Sequence, residues 1–393
     1  MTRFVLVPRS TRPGALPSLD GVRGLAMLFV LAGHLSAFQD LGLFTGVAVV
    51  GVWLFFVLSS FLLCHYFLEQ PARARRPAEW ARYAGRRALR IFPMYGVALC
   101  LFFLTAYLQD GNPIWLSVIW RHLSLREAWG HFWTIPVELA YYLVLPFVVL
   151  FVLFVLRQNL ALLFAAFAAF VLVHQHFVPE SEVELVTRHD LLPFLPVFLS
   201  GTVAATVHVA LGRHRLSRPL RYGFDAAALL ILGGVLLTDP PLWSVLVYDV
   251  DMDYFSHLFV LYGLAWAAFL VLMLNGAGLV RRLFETSALR FAGLVSFGAY
   301  LMHMKMIDVV NEYLLDPSPL AALVIALLTF LCAYVLHVLV ERPCSRVNLS
   351  PDWLAALAAQ GQARLRGRPR AARPVLEARP ASQSEREPAR PAL

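Results

Sequence analysis

Arg23 and His34 stand eleven residues apart in an otherwise apolar run near the start of the chain. On an α-helix that interval is about 16.5 Å of rise and about three turns, so both side chains leave the same face. The guanidinium can hold an anion, and the imidazole can serve as a general base or take an acyl group itself. A structural role is equally open to the isolated pair, with Arg23 snorkelling to the interface and His34 bonding a neighbouring helix. Glu138 and His303 are two more titratable groups in apolar segments. An ionisable side chain at that depth is expensive and points to function. Alternation of the segments places His34, Glu138 and His303 in the outer half of the membrane, where a carboxylate beside a neutral imidazole would suit deprotonation of a hydroxyl. Arg86, Arg87 and Arg90 form a fourth feature. If helical, Arg86 and Arg90 share a face, a fork that suits phosphate. Basic residues also end many spans merely to set topology.

The elements that position these groups are membrane helices. The chain is 59% hydrophobic and 15% charged, more apolar than a soluble domain requires. Ten segments are long enough to cross hydrocarbon, at 19–38, 46–68, 91–109, 136–156, 159–177, 191–211, 222–238, 255–275, 289–309 and 319–341. The fold class expected is all-α, a polytopic transmembrane bundle. Residues 1–18 read as a cytoplasmic lead segment and 19–343 as the transmembrane domain. Residues 344–393 read as a largely disordered Arg/Pro-rich tail, with a short helix at about 352–366. No inverted repeat of the transporter kind is visible.

An even number of spans puts both termini on one side. Arginines crowd that side: Arg3, Arg9 and Arg12, then seven from Arg73 to Arg90, then Arg213 to Arg221, then Arg281, Arg282 and Arg290. The opposite loops carry Arg121, Arg126 and Arg188 and are acidic at Glu180, Glu182, Glu184, Asp249, Asp251 and Asp253. The asymmetry predicts cytoplasmic termini. It also explains the net charge of +8 without nucleic acid as a partner. Cys64, Cys100, Cys332 and Cys344 are scattered and predict neither a metal site nor a disulfide framework. Trp115, Trp120, Trp129, Trp133 and Trp243 fit interface belts, and Lys305 an outer-interface anchor.

Six stretches in order resemble the acyltransferase 3 family of membrane acyltransferases. They are Leu19-Asp20-Gly21-Val22-Arg23-Gly24-Leu25-Ala26 through His34; Gly51 to Leu62; Arg86-Arg87-Ala88-Leu89-Arg90-Ile91-Phe92-Pro93; Trp133-Thr134-Ile135-Pro136-Val137-Glu138 with Tyr141, Tyr142 and Pro146; Ser296 to His303; and Val340-Glu341-Arg342-Pro343. The family often has Asp where Trp53 stands and Gly where Ser60 stands, which puts the wiring of the cavity in question.

The resemblance implies an integral membrane O-acyltransferase in the bacterial inner membrane. Its donor would be acyl-CoA, most simply acetyl-CoA, and its acceptor a hydroxyl of a carbohydrate or glycolipid. It implies Arg86, Arg87 and Arg90 as the acyl-CoA site, and His34, Glu138 and Arg23 as the catalytic set. His303, Trp133 and Tyr300 would contact substrate or support that set. The rival expectation is a transporter that moves an acylated or lipid-linked glycan without chemistry, since buried charges and ten spans suit it too. A third is a scaffold that recruits a partner through the tail.

Overall fold

The structure is a computed structural model that describes residues 16–42, 44, 46–179, 190–238 and 258–347. The arginines before Pro17, both acidic loops, Arg188, Trp243 and the expected tail helix lie outside these residues. Helices α1 Pro17–Gln39, α2 Val47–Leu68, α3 Pro77–Leu99, α4 Thr134–Leu150, α5 Leu160–Phe177, α6 Leu195–Leu211, α7 Arg218–Leu237, α8 Phe259–Asn275, α9 Ser296–Tyr313 and α10 Pro319–Leu336 make up the bundle. No strand occurs among the described residues. Eight helical stretches are long and apolar enough to cross a membrane. α8 is a shorter apolar helix, and α9 carries Lys305, Asp308 and Glu312 along its length. Together these ten correspond one to one with the segments expected from hydropathy.

Local sequence explains the ends. Pro17, Pro77 and Pro319 open α1, α3 and α10, where a missing N–H is harmless. The Ser318 hydroxyl accepts from the Ala321 N–H at 3.1 Å, and Asn159 Oδ1 accepts from the Leu162 N–H at 3.1 Å, each satisfying an orphan donor. Pro93 and Pro146 lie inside α3 and α4. Each helix relaxes farther on into one wide turn, Cys100–Leu104 and Phe151–Val155. In lipid such adjustments re-satisfy backbone groups that proline frees.

Two boundaries differ from expectation. α3 starts at Pro77 rather than at 91, so Arg86, Arg87 and Arg90 are all on a helix and not in a loop before one. The polar run 77–90 hid this, because it belongs to the helix but falls below any hydropathy threshold. The ninth span begins at Ser296, with a separate short helix, Ser287–Leu294, before it.

Helices α1, α2, α6 and α8 form the interior. In its most apolar window α2 is 72% buried, against 11% for α5, so α5 is a lipid-facing helix. Phe177 and Leu172, about three-quarters exposed, show its outward side. Without water to drive association, interior membrane helices rely on close packing and on hydrogen bonds. α1 packs on α2 and on Ser287–Leu294. A Cβ at Gly24 would run into the Leu289 carbonyl, and one at Gly293 into the Asp20 carbonyl. The Trp266 Nε1–H donates to the Val50 carbonyl at 3.1 Å, fastening α8 to α2. The Ser200 hydroxyl donates to the Gly263 carbonyl at 2.9 Å, fastening α6 to α8.

Candidate active site

α4 carries Glu138 one turn before Tyr142; Glu138 meets α2, and the Tyr142 ring lies beside Tyr83 and Arg87 of α3. Ser59 Oγ donates to Glu138 Oε1 at 2.7 Å, and the Tyr142 hydroxyl donates to the same oxygen. The carboxylate is thus oriented by two hydroxyls, one from each helix. It lines a small cavity together with Arg23, Arg90, Tyr142, Ser296 and Tyr300. Two guanidinium groups and one carboxylate share this chamber inside an apolar bundle, where charges persist only if paired or functional.

A second, wider cavity opens beside it. Arg73, Arg82, Arg86 and Arg87 line it, with Arg23 and Ser59 on its inner wall. Arg23 and Ser59 line both spaces, so they form the junction between them. Arg82 is committed to Glu79 at 2.8 Å. Arg73 donates to the Tyr66 carbonyl at 2.9 Å and lies over its ring at 4.2 Å. Arg87 reaches towards the Tyr142 ring, 5.8 Å from its centroid, and its Nε–H is buried without a partner. The three arginines of the fork therefore divide: Arg86 and Arg87 face the wide cavity, and Arg90 the inner one. Glu341 is paired with His337 Nδ1 at 2.8 Å, one turn back.

Farther along the bundle, α1 and α9 bring His34 and His303 together, their ring centroids 4.8 Å apart and edge-on. His131, in the short turn Gly130–Trp133 that leads into α4, lies 5.0 Å from His303. Tyr300 joins this cluster to the inner cavity. Its hydroxyl donates to the His131 carbonyl and accepts from Thr134 Oγ1 at 2.9 Å. Both Thr134 and Tyr300 line the cavity that holds Glu138.

The expected neighbourhood of His34 and Glu138 takes a different form. The hydrogen bonds of Glu138 go to Ser59 and Tyr142, not to an imidazole, and His34 has His303 beside it instead. Glu138 lies a turn inside α4, facing the chamber of Arg23 and Arg90, whereas His131 occupies the helix entrance. Trp133 is not an interface residue. It is 5% exposed and packs with Phe194, Phe56 and Trp53. Trp120, at 67% exposed, does behave as belt residues do. Sequence reasoning missed Ser59, Tyr142 and His131 as site residues. Spacing offered a signal for two of them: Tyr142 is four residues after Glu138 and His131 seven before, one and two turns along a helix face. Ser59 offered none, since a serine in an apolar helix usually bonds its own backbone.

The arginine-lined cavity, the half-buried carboxylate and the imidazole cluster lie within a stretch, residues 16–338, that a family model described as an acyltransferase domain matches. The chain belongs to the acyltransferase 3 family. It is similar over 367 residues to the O-acetyltransferase OatA of Staphylococcus aureus, at 23% identity, covering 86% of this chain and 59% of that protein. It is similar over 356 residues to the peptidoglycan O-acetyltransferase OatA of Listeria monocytogenes, at 24% identity, covering 84% of this chain and 55% of that one. The chain thus spans less than two thirds of the length of these curated relatives. No solved structure matches it. It is an integral membrane member of a family of acyltransferases.

The two departures from the acyltransferase 3 pattern have local explanations. Trp53 fills an aromatic knot with Phe194, Phe259, Phe56 and Trp133, and its Nε1–H has no partner. Volume, not polarity, is what this position contributes. The Ser60 hydroxyl joins Tyr141 at 2.7 Å and Thr202 at 3.0 Å. The close approach of α2 to α6 is kept by Gly201, whose missing side chain leaves room for the Val57 carbonyl. No cluster of three or more metal-ligating side chains with suitable geometry occurs among the described residues.

Proposed function

We propose that this protein moves an acyl group, most simply acetyl, from acyl-CoA to a hydroxyl of a carbohydrate or glycolipid. The observation that carries the reading is the junction at Arg23 and Ser59, where an arginine-lined vestibule meets a polar chamber within the bundle. A polyphosphate donor with a long, narrow arm suits that pair of spaces. Arg86 and Arg87 would hold its phosphates, since guanidinium binds phosphate bidentately. Arg23 and Arg90 would guard the passage. The arm would pass Glu138 and carry the thioester towards His34.

His34 is suited to the chemistry by its backbone bond. Its Nδ1–H donates to the Val30 carbonyl at 2.8 Å, which leaves Nε2 with the lone pair in the neutral ring. As a base, Nε2 takes the acceptor hydroxyl proton while that oxygen forms its bond to the thioester carbonyl. The C–S bond then breaks, and the imidazolium returns the proton to the departing thiolate. As a nucleophile, Nε2 forms the bond to the carbonyl as the C–S bond breaks and the thiolate leaves; in a second step the acceptor hydroxyl forms its bond to the carbonyl, the C–N bond breaks, and the hydroxyl proton passes by way of Nε2 to the thiolate. Positioning and exclusion of water from the thioester would supply much of the rate.

The arginine-rich loops favour a cytoplasmic placement of that end of the bundle and of both termini, which matches the compartment of acyl-CoA. The similarity to the peptidoglycan O-acetyltransferase of Listeria monocytogenes favours a cell-wall glycan as acceptor. The test is transfer of radiolabel from acetyl-CoA to an envelope glycan extract by purified protein in nanodiscs, wild type against His34→Ala. Transfer lost in a folded variant supports the reading. Absence of turnover with acyl-CoA of several chain lengths, alongside glycan movement across vesicles, would favour the transporter instead.

A further inference from the structure

Three imidazoles meet here, His303 buried and His34 and His131 half-buried, and their hydrogen bonds to the backbone settle which nitrogen of each carries the proton. A neutral imidazole has one N–H and one lone pair. His34 Nδ1 faces the Val30 carbonyl at 2.8 Å and His303 Nδ1 the Tyr300 carbonyl at 2.6 Å. His131 Nε2 faces the Leu301 carbonyl at 3.1 Å. A carbonyl can only accept, so each of these nitrogens is the donor. His34 Nε2, His303 Nε2 and His131 Nδ1 are therefore lone-pair acceptors, in rings whose centroids lie 4.8 and 5.0 Å apart.

Among the described residues, no side chain of the surrounding elements donates to these nitrogens. The Tyr300 hydroxyl is spent on the His131 carbonyl, and the Thr134 hydroxyl on Tyr300. The Ser296 hydroxyl donates to the Gly293 carbonyl. Lys305 Nζ lies over the Phe102 ring at 5.7 Å. Tyr95 packs on Phe132, and its hydroxyl has no partner, so it does not fill the gap. His303 Nε2 is wholly buried and unpartnered. Buried polar atoms in native proteins are ordinarily paired. A cluster that offers acceptors and no donor is complementary to a ligand that brings O–H groups.

We propose that the His34–His303–His131 cluster is the acceptor subsite, that it recognises adjacent hydroxyl groups, and that His131 is one of its binding residues. This rests on the acyl-transfer reading above and assigns the end of the bundle that the acceptor occupies. One hydroxyl donates to His34 Nε2 and is the group acylated. A neighbouring hydroxyl donates to His131 Nδ1 and fixes which oxygen reacts, with His303 packed between the two rings. Ligands that accept hydrogen bonds but cannot donate them are rejected.

The experiment uses full-length protein in nanodiscs, with chitotetraose and its per-O-methylated form as probes and tryptophan fluorescence as the readout. Wild type, His131→Ala and His131→Asn are compared, since an asparagine oxygen can replace Nδ1 as acceptor. Acetyl-CoA affinity reports that each variant is folded. The expected result is binding of chitotetraose, binding of the methylated sugar at least about tenfold weaker, and about tenfold loss in His131→Ala, the equivalent of one hydrogen bond. His131→Asn should recover most of that loss. Equal binding of the methylated sugar, wild-type affinity in His131→Ala, or no glycan binding by wild type overturns the proposal. Turnover of acetyl-CoA by wild type is followed in the same samples. Its absence sinks the acyl-transfer reading, while the binding comparison still decides the subsite.

Discussion

Ser59 Oγ donates to Glu138 Oε1 at 2.7 Å, joining α2 to α4 across the wall that the two cavities share. The same carboxylate receives the Tyr142 hydroxyl from its own helix. Removing the cross-helix donor frees one side of the carboxylate. Ser59→Ala should lower the rate of acyl transfer about ten- to a hundredfold, since a hydrogen bond to a charged group is worth about 1.5–3 kcal/mol. Glu138→Gln keeps the shape and loses the charge, and should cost more. Steady-state transfer rates at saturating acyl-CoA check both. A Glu138→Gln enzyme with wild-type turnover would remove the carboxylate from the mechanism.

Arg86 and Arg87 face the wide cavity, and the buried Nε–H of Arg87 lacks a partner. Replacing either by Ala should raise the KM for acyl-CoA by about ten- to a hundredfold, and kcat should change less. Lys should rescue only part, because it cannot reproduce a bidentate contact. Titration with free CoA gives the same order of effect if the contact is to phosphate. Unchanged KM in the Arg86→Ala, Arg87→Ala double variant would move the donor elsewhere.

Gly293 meets the Asp20 carbonyl, whereas Gly223 has nothing within 4 Å of an added Cβ. Gly293→Ala should lower stability by about 1–3 kcal/mol, the usual cost of overpacking. Gly223→Ala should be neutral or slightly stabilising, as a helical glycine gives way to a better helix former. Thermal unfolding in detergent, followed by size-exclusion fluorescence, compares the two directly. Equal melting temperatures would mean that α1 does not approach Ser287–Leu294 as closely as described.

Trp53 contributes bulk to an aromatic knot and leaves its N–H unused. Trp53→Phe should retain most of the stability, whereas Trp53→Ala should lose about 3–5 kcal/mol. The same melting assay decides. A Trp53→Phe variant as unstable as Trp53→Ala would mean that the indole N–H has a partner after all.

Periodicity and hydropathy determined much of this protein without any coordinates. The apolar stretches announce a bundle of membrane helices because the bilayer accepts little else, and among the described residues eight helical stretches are long and apolar enough to cross it. Arg23, His34, Glu138 and His303 announced themselves because a charge or an imidazole is conspicuous in hydrocarbon. The ordered motifs from Leu19 to Pro343 named the family, and the match over residues 16–338 agrees. Tertiary structure decided what local sequence cannot encode, which is how each helix is rotated and where polar stretches continue a helix. Hydropathy placed the start of the third span at 91 because residues 77–90 are polar, although they are the first turns of α3. Depth alone suggested that His34 and Glu138 meet. Rotation instead turns Glu138 to Ser59, in the chamber of Arg23 and Arg90, and turns His34 to His303. His131 went unnoticed because it sits in a turn ahead of a helix, and only the packing of α9 against that turn brings its ring to His303. Side-chain period fixes the faces within one helix, but which faces oppose each other depends on contacts hundreds of residues apart in sequence.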